Sequence, residues 1–311
     1  MPRNESRVPS PESRTIHGLL LLDKPLGDSS NRALQRVKRL FRARKAGHTG
    51  SLDPLATGML PVCLGEATKI AGLLLGAHKA YVAEAQLGVT TTTGDAEGEV
   101  VAHTEVPVLD HAMVERAMEA FRGRIRQVPP VYSALKQGGV PLYKRARRGE
   151  EVSAPPREVD IFRFELLELS ADRLRVEVEC GSGTYIRSLM ADLGQALACG
   201  AHLTSLRRTW VDPFKGARMY TLEELEAMAG NDDANVLDAC LLPVEAGLSG
   251  MPAIRLDSAD SLAVAQGRPV DVAASGLCRV YADDGRLLAL GEPDAQGHLV
   301  VRRGFNLPAP A

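Results

Sequence analysis

The chain has 311 residues, of which 45% are hydrophobic and 24% are charged, a composition typical of globular proteins that excludes a disordered or collagen-like chain. The 37 Lys and Arg nearly balance the 39 Asp and Glu, so the formal net charge of −2 by itself gives no indication of a nucleic-acid partner. The length allows two domains, one of them small.

The N-terminal part of the chain predicts a tail, a buried strand and an amphipathic helix. Residues 1–15 are rich in Pro, Ser and charges, and we expect them to form a disordered tail. The uninterrupted apolar run 19–22 predicts a strand that is buried on both faces. Apolar residues at helical spacing from Ala33 to Phe41 predict a helix, with Ser29 or Ser30 as its cap.

The remaining chain alternates strands and helices. Apolar and charged residues alternate within 158–180 and predict a hairpin, while Thr221 and Glu224 form a capping box that opens a helix. The other expected elements are, in chain order, a glycine-rich loop over 47–58, strands over 59–64 and 81–87, an exposed loop over 90–98, a helix over 110–121 with Met113, Ala117 and Phe121 on one face, a helix over 183–197, a boundary near 247–252, a helix over 258–266 and a hairpin over 278–290.

The five cysteines are odd in number and form no C-x-x-C pair, which argues against a zinc site and favours reduced thiols. No run approaches the roughly 20 apolar residues of a membrane span. The first 15 residues also lack the apolar core of a signal peptide. We therefore expect a cytoplasmic protein.

The charges are segregated along the chain. Residues 122–148 contain eight Lys and Arg and no acid, residues 31–45 contain seven and no acid, and residues 220–299 carry 14 Asp and Glu against four Arg. Two separate acid-free blocks predict a polyanion-binding face on the N-terminal domain, although a solvated helix face is the alternative for 31–45. Tyr132 and Tyr143, within the first block, could stack on RNA bases or pack in the core.

The segment 47–58 combines three glycines with His, Asp and hydroxyl side chains, and it is not a P-loop because the Gly-Lys-Ser/Thr ending is absent. Asp53 is the only acid between Asp28 and Glu66, and the cations on its N-terminal side should keep it ionised, as a nucleophile or a base. An Asx turn or a helix cap is the alternative for Asp53, and a structural role is the alternative for His48. A metal site is not expected because further ligands are missing.

This segment, preceded by Leu22-Asp23-Lys24-Pro25, closely resembles the catalytic motif of the bacterial tRNA pseudouridine-55 synthases, which isomerise a uridine in the T-loop. The resemblance covers roughly residues 17–245, and the last 60 residues resemble the small RNA-binding β module (PUA-like) that ends these enzymes. Further matches are Lys79-Ala80-Tyr81, Tyr132-Ser133-Ala134-Leu135-Lys136, Gly183-Thr184-Tyr185-Ile186-Arg187 and Leu206-Arg207-Arg208.

The resemblance implies an α+β fold. We expect a large mixed, mostly antiparallel sheet that is flanked by helices and crossed by a central cleft, followed by a small C-terminal β module (PUA-like). The expected organisation is a disordered tail over 1–15, a catalytic domain over 16–247 and the RNA-binding module over 251–306.

The resemblance also implies roles for individual residues. Asp53 would be the catalytic carboxylate, Tyr81 would pack on the target base, and Arg187 would pair with Asp53. The expected substrate contacts are His48, Tyr185 and Leu206. The expected RNA-binding cations are Lys24, Lys136, Arg145, Arg147, Arg148, Arg207 and Arg208.

The implied reaction breaks the bond between N1 and C1′ of a uridine, turns the base and rejoins it through C5. It needs one carboxylate and a closed pocket, with no redox cofactor and no metal. The uridine must first be flipped out of its stack, at a cost of a few kcal/mol. We therefore expect a monomer that converts uridine 55 in the T-arm of tRNA, with no guide RNA and no membrane.

Two departures from the family pattern concern RNA contacts. Ser182 stands where relatives commonly carry a lysine, and Gly139-Val140-Pro141 lacks a basic residue often found there. Two other functions stay open on the sequence alone: a non-catalytic tRNA-binding protein or folding chaperone, and a ribosyl hydrolase. The hydrolase would need a second carboxylate to activate water, and none lies in the 47–58 motif.

Overall fold

The computed structural model of the protein describes residues 13–133, 135–146, 148–150, 152–230 and 234–309. The strands found in these ranges are β1 (Gly18–Lys24), β2 (Ala46–His48), β3 (Ala56–Leu64), β4 (Lys79–Leu87), β5 (Val89–Thr91), β6 (Val100–His103), β7 (Gly123–Gln127), β8 (Lys136–Gln137), β9 (Val140–Pro141), β10 (Arg157–Leu169), β11 (Arg173–Cys180), β12 (Ala201–Val211), β13 (Ala253–Arg255), β14 (Cys278–Tyr281), β15 (Leu287–Pro293) and β16 (Leu299–Gly304). The helices are α1 (Ser30–Leu40), α2 (Ala71–Leu75), α3 (His111–Glu119), α4 (Leu142–Ala146), α5 (Ile186–Ala196), α6 (Leu222–Ala229), α7 (Ala234–Asp238) and α8 (Ser258–Ala265).

The main sheet has eight strands in the order β1-β3-β12-β4-β11-β10-β7, with β2 paired to β3. The pair of β3 and β12 is parallel, and the other pairs in this sheet are antiparallel. Helices α1, α3, α5 and α6 pack on the sheet. The predicted α+β class with a mixed, mostly antiparallel sheet is confirmed.

The strand at one edge of the sheet is buried on both faces, as its apolar run predicts. Leu20 and Leu22 of β1 pack with α1 and α6, whereas Leu19 and Leu21 pack in a second core on the opposite face. The predicted helix α1 is also confirmed, because the Ser29 hydroxyl accepts a hydrogen bond from the backbone N–H of Arg32 and so caps it.

Three expected elements differ in the structure. The strand expected at 59 begins at Ala56, because β12 pairs with the start of β3. Helix α3 buries Val114 and Met118, while Met113 is 38% exposed, because packing against α5 and β10 selects the adjacent stripe of this helix. The basic block 122–148, for which no strand was expected, begins with the edge strand β7.

The C-terminal module is a four-stranded sheet in the order β13-β14-β15-β16. It has its own small core around Val280, Ala289 and Leu299. Leu287 and Leu290 of β15 reach into the core beneath β1, so the module packs against the main sheet. The predicted small C-terminal β module is confirmed.

The N-terminal segment is held by an ion pair, and the thiols are buried. Residues 1–12 of the expected tail lie outside the described residues, and Arg14 pairs with Asp238, with an Nη1 to Oδ2 distance of 2.8 Å. All five cysteines are unpaired and buried. Within the described ranges, no helix is long and apolar enough to cross a membrane.

Candidate active site

The residues singled out at the sequence level converge on a cavity of about 350 Å³ at one end of the central strands. The loop between β2 and β3 contributes Asp53 to its lining, β4 contributes Tyr81, and β12 contributes Leu206. Tyr185 and Arg187 enter from the start of α5. These five residues are separated in sequence, and the sheet order brings them together.

The loop that carries Asp53 is held by the first turn of α1. The Ser30 hydroxyl accepts a hydrogen bond from Leu52 N at 2.7 Å and donates one to Leu52 O at 3.0 Å. Gly58 has a φ of +96°, and a Cβ atom there would lie 2.2 Å from the Arg208 carbonyl oxygen, so only glycine fits at this position. The helix that a capping role for Asp53 would require is absent, since β3 follows directly.

Arg187 is held between two carboxylates. Its Nη2 lies 3.0 Å from Asp53 Oδ2, and its Nη1 lies 3.4 Å from Asp95 Oδ2. The guanidinium also donates to the carbonyl oxygens of Thr93 at 2.9 Å and Tyr132 at 2.8 Å. The Arg187 side chain is 4% exposed, so these contacts fix its position and, through the ion pair, the orientation of Asp53.

The Asp53 carboxylate faces the cavity, and its side chain is 44% exposed. Burial raises the pKa of Asp53 above its ordinary value, and the negative charge of Asp95 acts in the same direction, whereas the Arg187 guanidinium lowers it. Lys24, on the N-terminal side of Asp53 in the sequence, lowers this pKa less than Arg187 does, and burial outweighs both cations. A partly desolvated carboxylate held by an arginine can act as a nucleophile or a base.

The loop over 90–98 is only partly exposed: Thr92, Ala96 and Glu97 are exposed as expected, whereas Asp95 is not. Asp95 is buried, and its Oδ1 accepts hydrogen bonds from Thr93 Oγ1 at 2.5 Å and from Glu97 N at 3.1 Å. The loop is drawn in because the buried Arg187 guanidinium is stabilised by a second carboxylate. In the sequence, Asp95 is one of several polar residues in a short loop. That position alone does not distinguish Asp95 from its neighbours.

Tyr81 and Leu206 form the buried wall of the cavity. Burial raises the pKa of the Tyr81 hydroxyl, and Arg208 beside it lowers that pKa. Arg208 is 1% exposed and donates from Nε to Met59 O at 2.7 Å and from Nη2 to Gly50 O at 3.1 Å. Arg208 therefore lies in the cavity floor and ties two strands to the loop that carries Asp53.

Tyr185 and His48 take different positions. The Tyr185 ring lies 4.8 Å from the Arg157 guanidinium, and its backbone is held by Gln127. His48 lies on β2, beside the cavity lining and not in it. Its Nδ1 is buried without a partner among the described residues, and burial, reinforced by the charge of Arg208, lowers the pKa of His48.

The expected RNA-binding cations occupy several environments. Lys24 is fully buried, and its ammonium donates to Asp28 O at 2.5 Å and Pro25 O at 2.8 Å, while burial lowers its pKa to about 8. Arg207 is paired with Asp23 at 2.7 Å. Lys24 and Arg207 therefore have partners within the protein itself.

The remaining expected cations lie in the basic block. Arg145 pairs with Glu150 at 2.6 Å, Arg148 is exposed to solvent, and Lys136 belongs to β8. Arg147 lies outside the described residues. Ser133 and Leu135 line the cavity, so this block borders the candidate site.

Sequence reasoning missed three residues at the site, Asp95, Gln127 and Arg157, and assigned no role to a fourth, Lys79. Lys79 lines the cavity, and burial lowers its pKa to about 8; its place next to Ala80-Tyr81 was a usable signal. Arg157 of β10 donates from Nη2 to Gly183 O in the turn before α5, a contact that no local pattern indicates. In the part of the chain that is described, no three His, Cys, Asp or Glu side chains meet to hold a metal ion.

Comparison with known proteins identifies the family along nearly the whole chain. The family model "TruB family pseudouridylate synthase (N terminal domain)" matches residues 38–186. The model "tRNA pseudouridylate synthase B C-terminal domain" matches residues 187–249. The model "Pseudouridine synthase II TruB, C-terminal" matches residues 252–305.

Individual relatives agree with these matches. The tRNA pseudouridine synthase B of Xanthomonas axonopodis pv. citri is 55% identical over 296 residues, covering 94% of this chain and 95% of the relative. The tRNA pseudouridine synthase B of Xylella fastidiosa is 54% identical over 298 residues, covering 94% of this chain and 97% of the relative. A solved H/ACA RNP bound to a substrate RNA containing 2′-deoxyuridine has a TM-score of 0.71 and 25% identity, covering 94% of this chain and 86% of that one. The chain therefore belongs to the TruB family of pseudouridylate synthases.

Proposed function

We propose that this enzyme converts uridine 55 in the T-loop of tRNA to pseudouridine, with Asp53 as the catalytic carboxylate. Pseudouridine synthesis in tRNA follows from the family and from its closely similar relatives. The observation that carries the assignment of the site is the ion pair of 3.0 Å between Asp53 and the buried Arg187 in the cavity. The match of the 47–58 segment to the T-loop enzymes supports uridine 55 as the target.

The cavity suits a flipped-out uridine. Tyr81 and Leu206 offer an aromatic and an apolar surface for the base, and the Asp53 carboxylate faces the same space. Pocket walls of this kind hold a base after its N1 to C1′ bond breaks, and a preoriented carboxylate needs no reorganisation when charge develops. Asp53 then either attacks C1′ or removes a proton from the sugar, and the base rejoins C1′ through C5.

The RNA-facing residues are proposed from their positions. Tyr185 at the cavity edge and Arg148 on the exposed surface of the basic block are placed to contact the T-arm, whereas Lys24 and Arg208 act from beneath the site through the backbone. Tyr185 can stack on a base. We place the reaction in the cytoplasm, as expected for a tRNA-modifying enzyme.

The direct test is modification of an unmodified tRNA transcript. Incubation with the enzyme, carbodiimide treatment and reverse transcription should give a stop in the T-loop at uridine 55 and at no other uridine. A stop at another position would refute the proposed target, and the absence of any stop would refute the activity on this substrate.

The matched variant is Asp53→Asn, which keeps the size of the side chain and removes its charge. We expect it to bind tRNA within about threefold of the wild type and to give no stop. Free uracil released by the wild-type enzyme would instead indicate a hydrolase, and tRNA binding by the wild type without modification would indicate a chaperone.

A further inference from the structure

A cluster of exposed cations lies at the far end of α1. Lys38 and Arg39 stand in the last turn of this helix, and Arg42, Arg44 and Lys45 follow in the connection to β2. All except the half-buried Lys38 are exposed. We call these five residues the α1 patch.

The cations of the α1 patch have no ion-pair partner among the described residues, in contrast to the first half of the same helix. There Arg32 pairs with Asp28 at 3.0 Å, and Arg36 pairs with Asp28 at 3.3 Å and with Glu226 at 2.6 Å. A helix C-terminus attracts cations through its dipole, which accounts for Lys38 and Arg39. It does not account for the three cations beyond the helix end, because the dipole effect fades within one turn.

The α1 patch is distant from the reaction cavity. Gly58 of β3 is in register with Arg208, which lies in the cavity floor, and Lys45 O accepts a hydrogen bond from Gly65 N at the opposite end of that strand. Seven residues of strand correspond to about 23 Å. The cavity and its bordering basic block can hold the RNA around a flipped uridine, and a full-length tRNA extends well beyond this distance, so its backbone can reach the α1 patch.

We infer that the α1 patch binds the sugar-phosphate backbone of the substrate tRNA outside the T-arm. Exposed, unpaired Arg and Lys side chains match phosphate oxygens without reading sequence. Such contacts fix the register of a large RNA on the enzyme and add affinity that depends on salt. This inference rests on the proposed function, since it takes tRNA as the substrate.

The test compares a full-length tRNA transcript with a stem-loop of the T-arm alone, using Arg39→Gln/Arg44→Gln/Lys45→Gln. We expect this variant to bind full-length tRNA about tenfold or more weakly than the wild type at moderate salt. The slope of log K against log salt should fall by roughly two units, because each lost phosphate contact removes about 0.7–0.9. Binding and conversion of the stem-loop should stay within twofold.

The control variant, Arg116→Gln/Arg163→Gln/Arg175→Gln, removes the same charge from α3, β10 and β11 and should bind both RNAs like the wild type. Equal losses for both RNAs, or a loss for full-length tRNA no larger than in the control, would overturn the inference. A wild-type enzyme that binds the RNAs without modifying them would refute the proposed function. The wild type and the variants could then still be compared by their binding of the two RNAs.

Discussion

Gln127 and Tyr185 exchange two hydrogen bonds across the base of the candidate site: the amide Oε1 of Gln127 accepts from Tyr185 N at 2.8 Å, and its Nε2 donates to Tyr185 O at 3.0 Å. Arg157, the cross-strand neighbour of Gln127, packs its guanidinium 4.8 Å from the Tyr185 ring. The cross-strand pair Gln127–Arg157 therefore holds both the main chain and the ring of Tyr185, which precedes α5 and lies two positions before Arg187.

Replacing Gln127 tests whether the Gln127–Arg157 pair positions Tyr185 and Arg187 in the candidate site. Gln127→Leu keeps the bulk of the side chain and leaves the backbone N–H of Tyr185 unpaired, which should cost about 1–3 kcal/mol of unfolding free energy; the carbonyl of Tyr185 still accepts from Leu189 N at 3.1 Å. We expect kcat to fall by about tenfold or more while KM changes little. The release of tritium from C5-labelled uridine measures both, because C5 loses its hydrogen when it joins C1′.

The exposed Gln195→Leu, near the end of α5, serves as the matched control and should retain wild-type kcat. If the Gln127→Leu enzyme is less stable but has an unchanged kcat at a temperature where it is folded, the Gln127–Arg157 pair is structural only.

Asp95 supplies the second carboxylate at Arg187, and Asp95→Asn removes its charge while keeping an oxygen that can accept from Thr93 and Glu97. With one carboxylate less to hold the guanidinium, Arg187 and Asp53 should lose part of their fixed geometry. We expect single-turnover rates to fall by about ten- to a hundredfold, equivalent to about 1.4–2.7 kcal/mol of transition-state free energy, with tRNA binding within threefold.

The exposed Asp172→Asn, in the turn between β10 and β11, should leave these rates unchanged. If Asp95→Asn reacts as fast as the wild type, Asp53–Arg187 is sufficient and Asp95 contributes only to folding.

The pH dependence of the single-turnover rate should report Asp53. A carboxylate that acts in its ionised form is active above its pKa, so activity should fall as pH decreases through that value. Because burial raises the pKa of Asp53, the acid limb should lie at higher pH than for a solvated aspartate. Asp95 also raises this pKa, so Asp95→Asn should move the limb to lower pH; a shift in the other direction would contradict the assignment of Asp53 to the limb.

Arg148 tests the contribution of the basic block to tRNA affinity. It is exposed and has no ion-pair partner within the described residues, so Arg148→Gln should remove one phosphate contact. We expect a salt slope smaller by about 0.7–0.9 and a similar loss of affinity for full-length tRNA and for the T-arm stem-loop. Filter binding at several salt concentrations measures this, and Arg116→Gln on α3 should show neither change.

Much of the local structure could be predicted because it is encoded over short distances. The Thr221 and Glu224 capping box forms as expected, and the alternating pattern predicted the β10–β11 hairpin. Strand β12 was not expected, although it is the central parallel partner of β3. Its pairing depends on residues far away along the chain, which local periodicity does not detect.

The sequence by itself determined the family, the motif around Asp53 and the separation of basic from acidic regions, because motif residues and charges are properties of the chain order. Only the tertiary structure decided that Asp95 is buried and that Gln127 and Arg157 hold Tyr185. The physical reason is that a buried guanidinium such as Arg187 requires carboxylate and carbonyl acceptors, and the fold supplies them to its two Nη atoms from segments that lie 55 to 134 residues away.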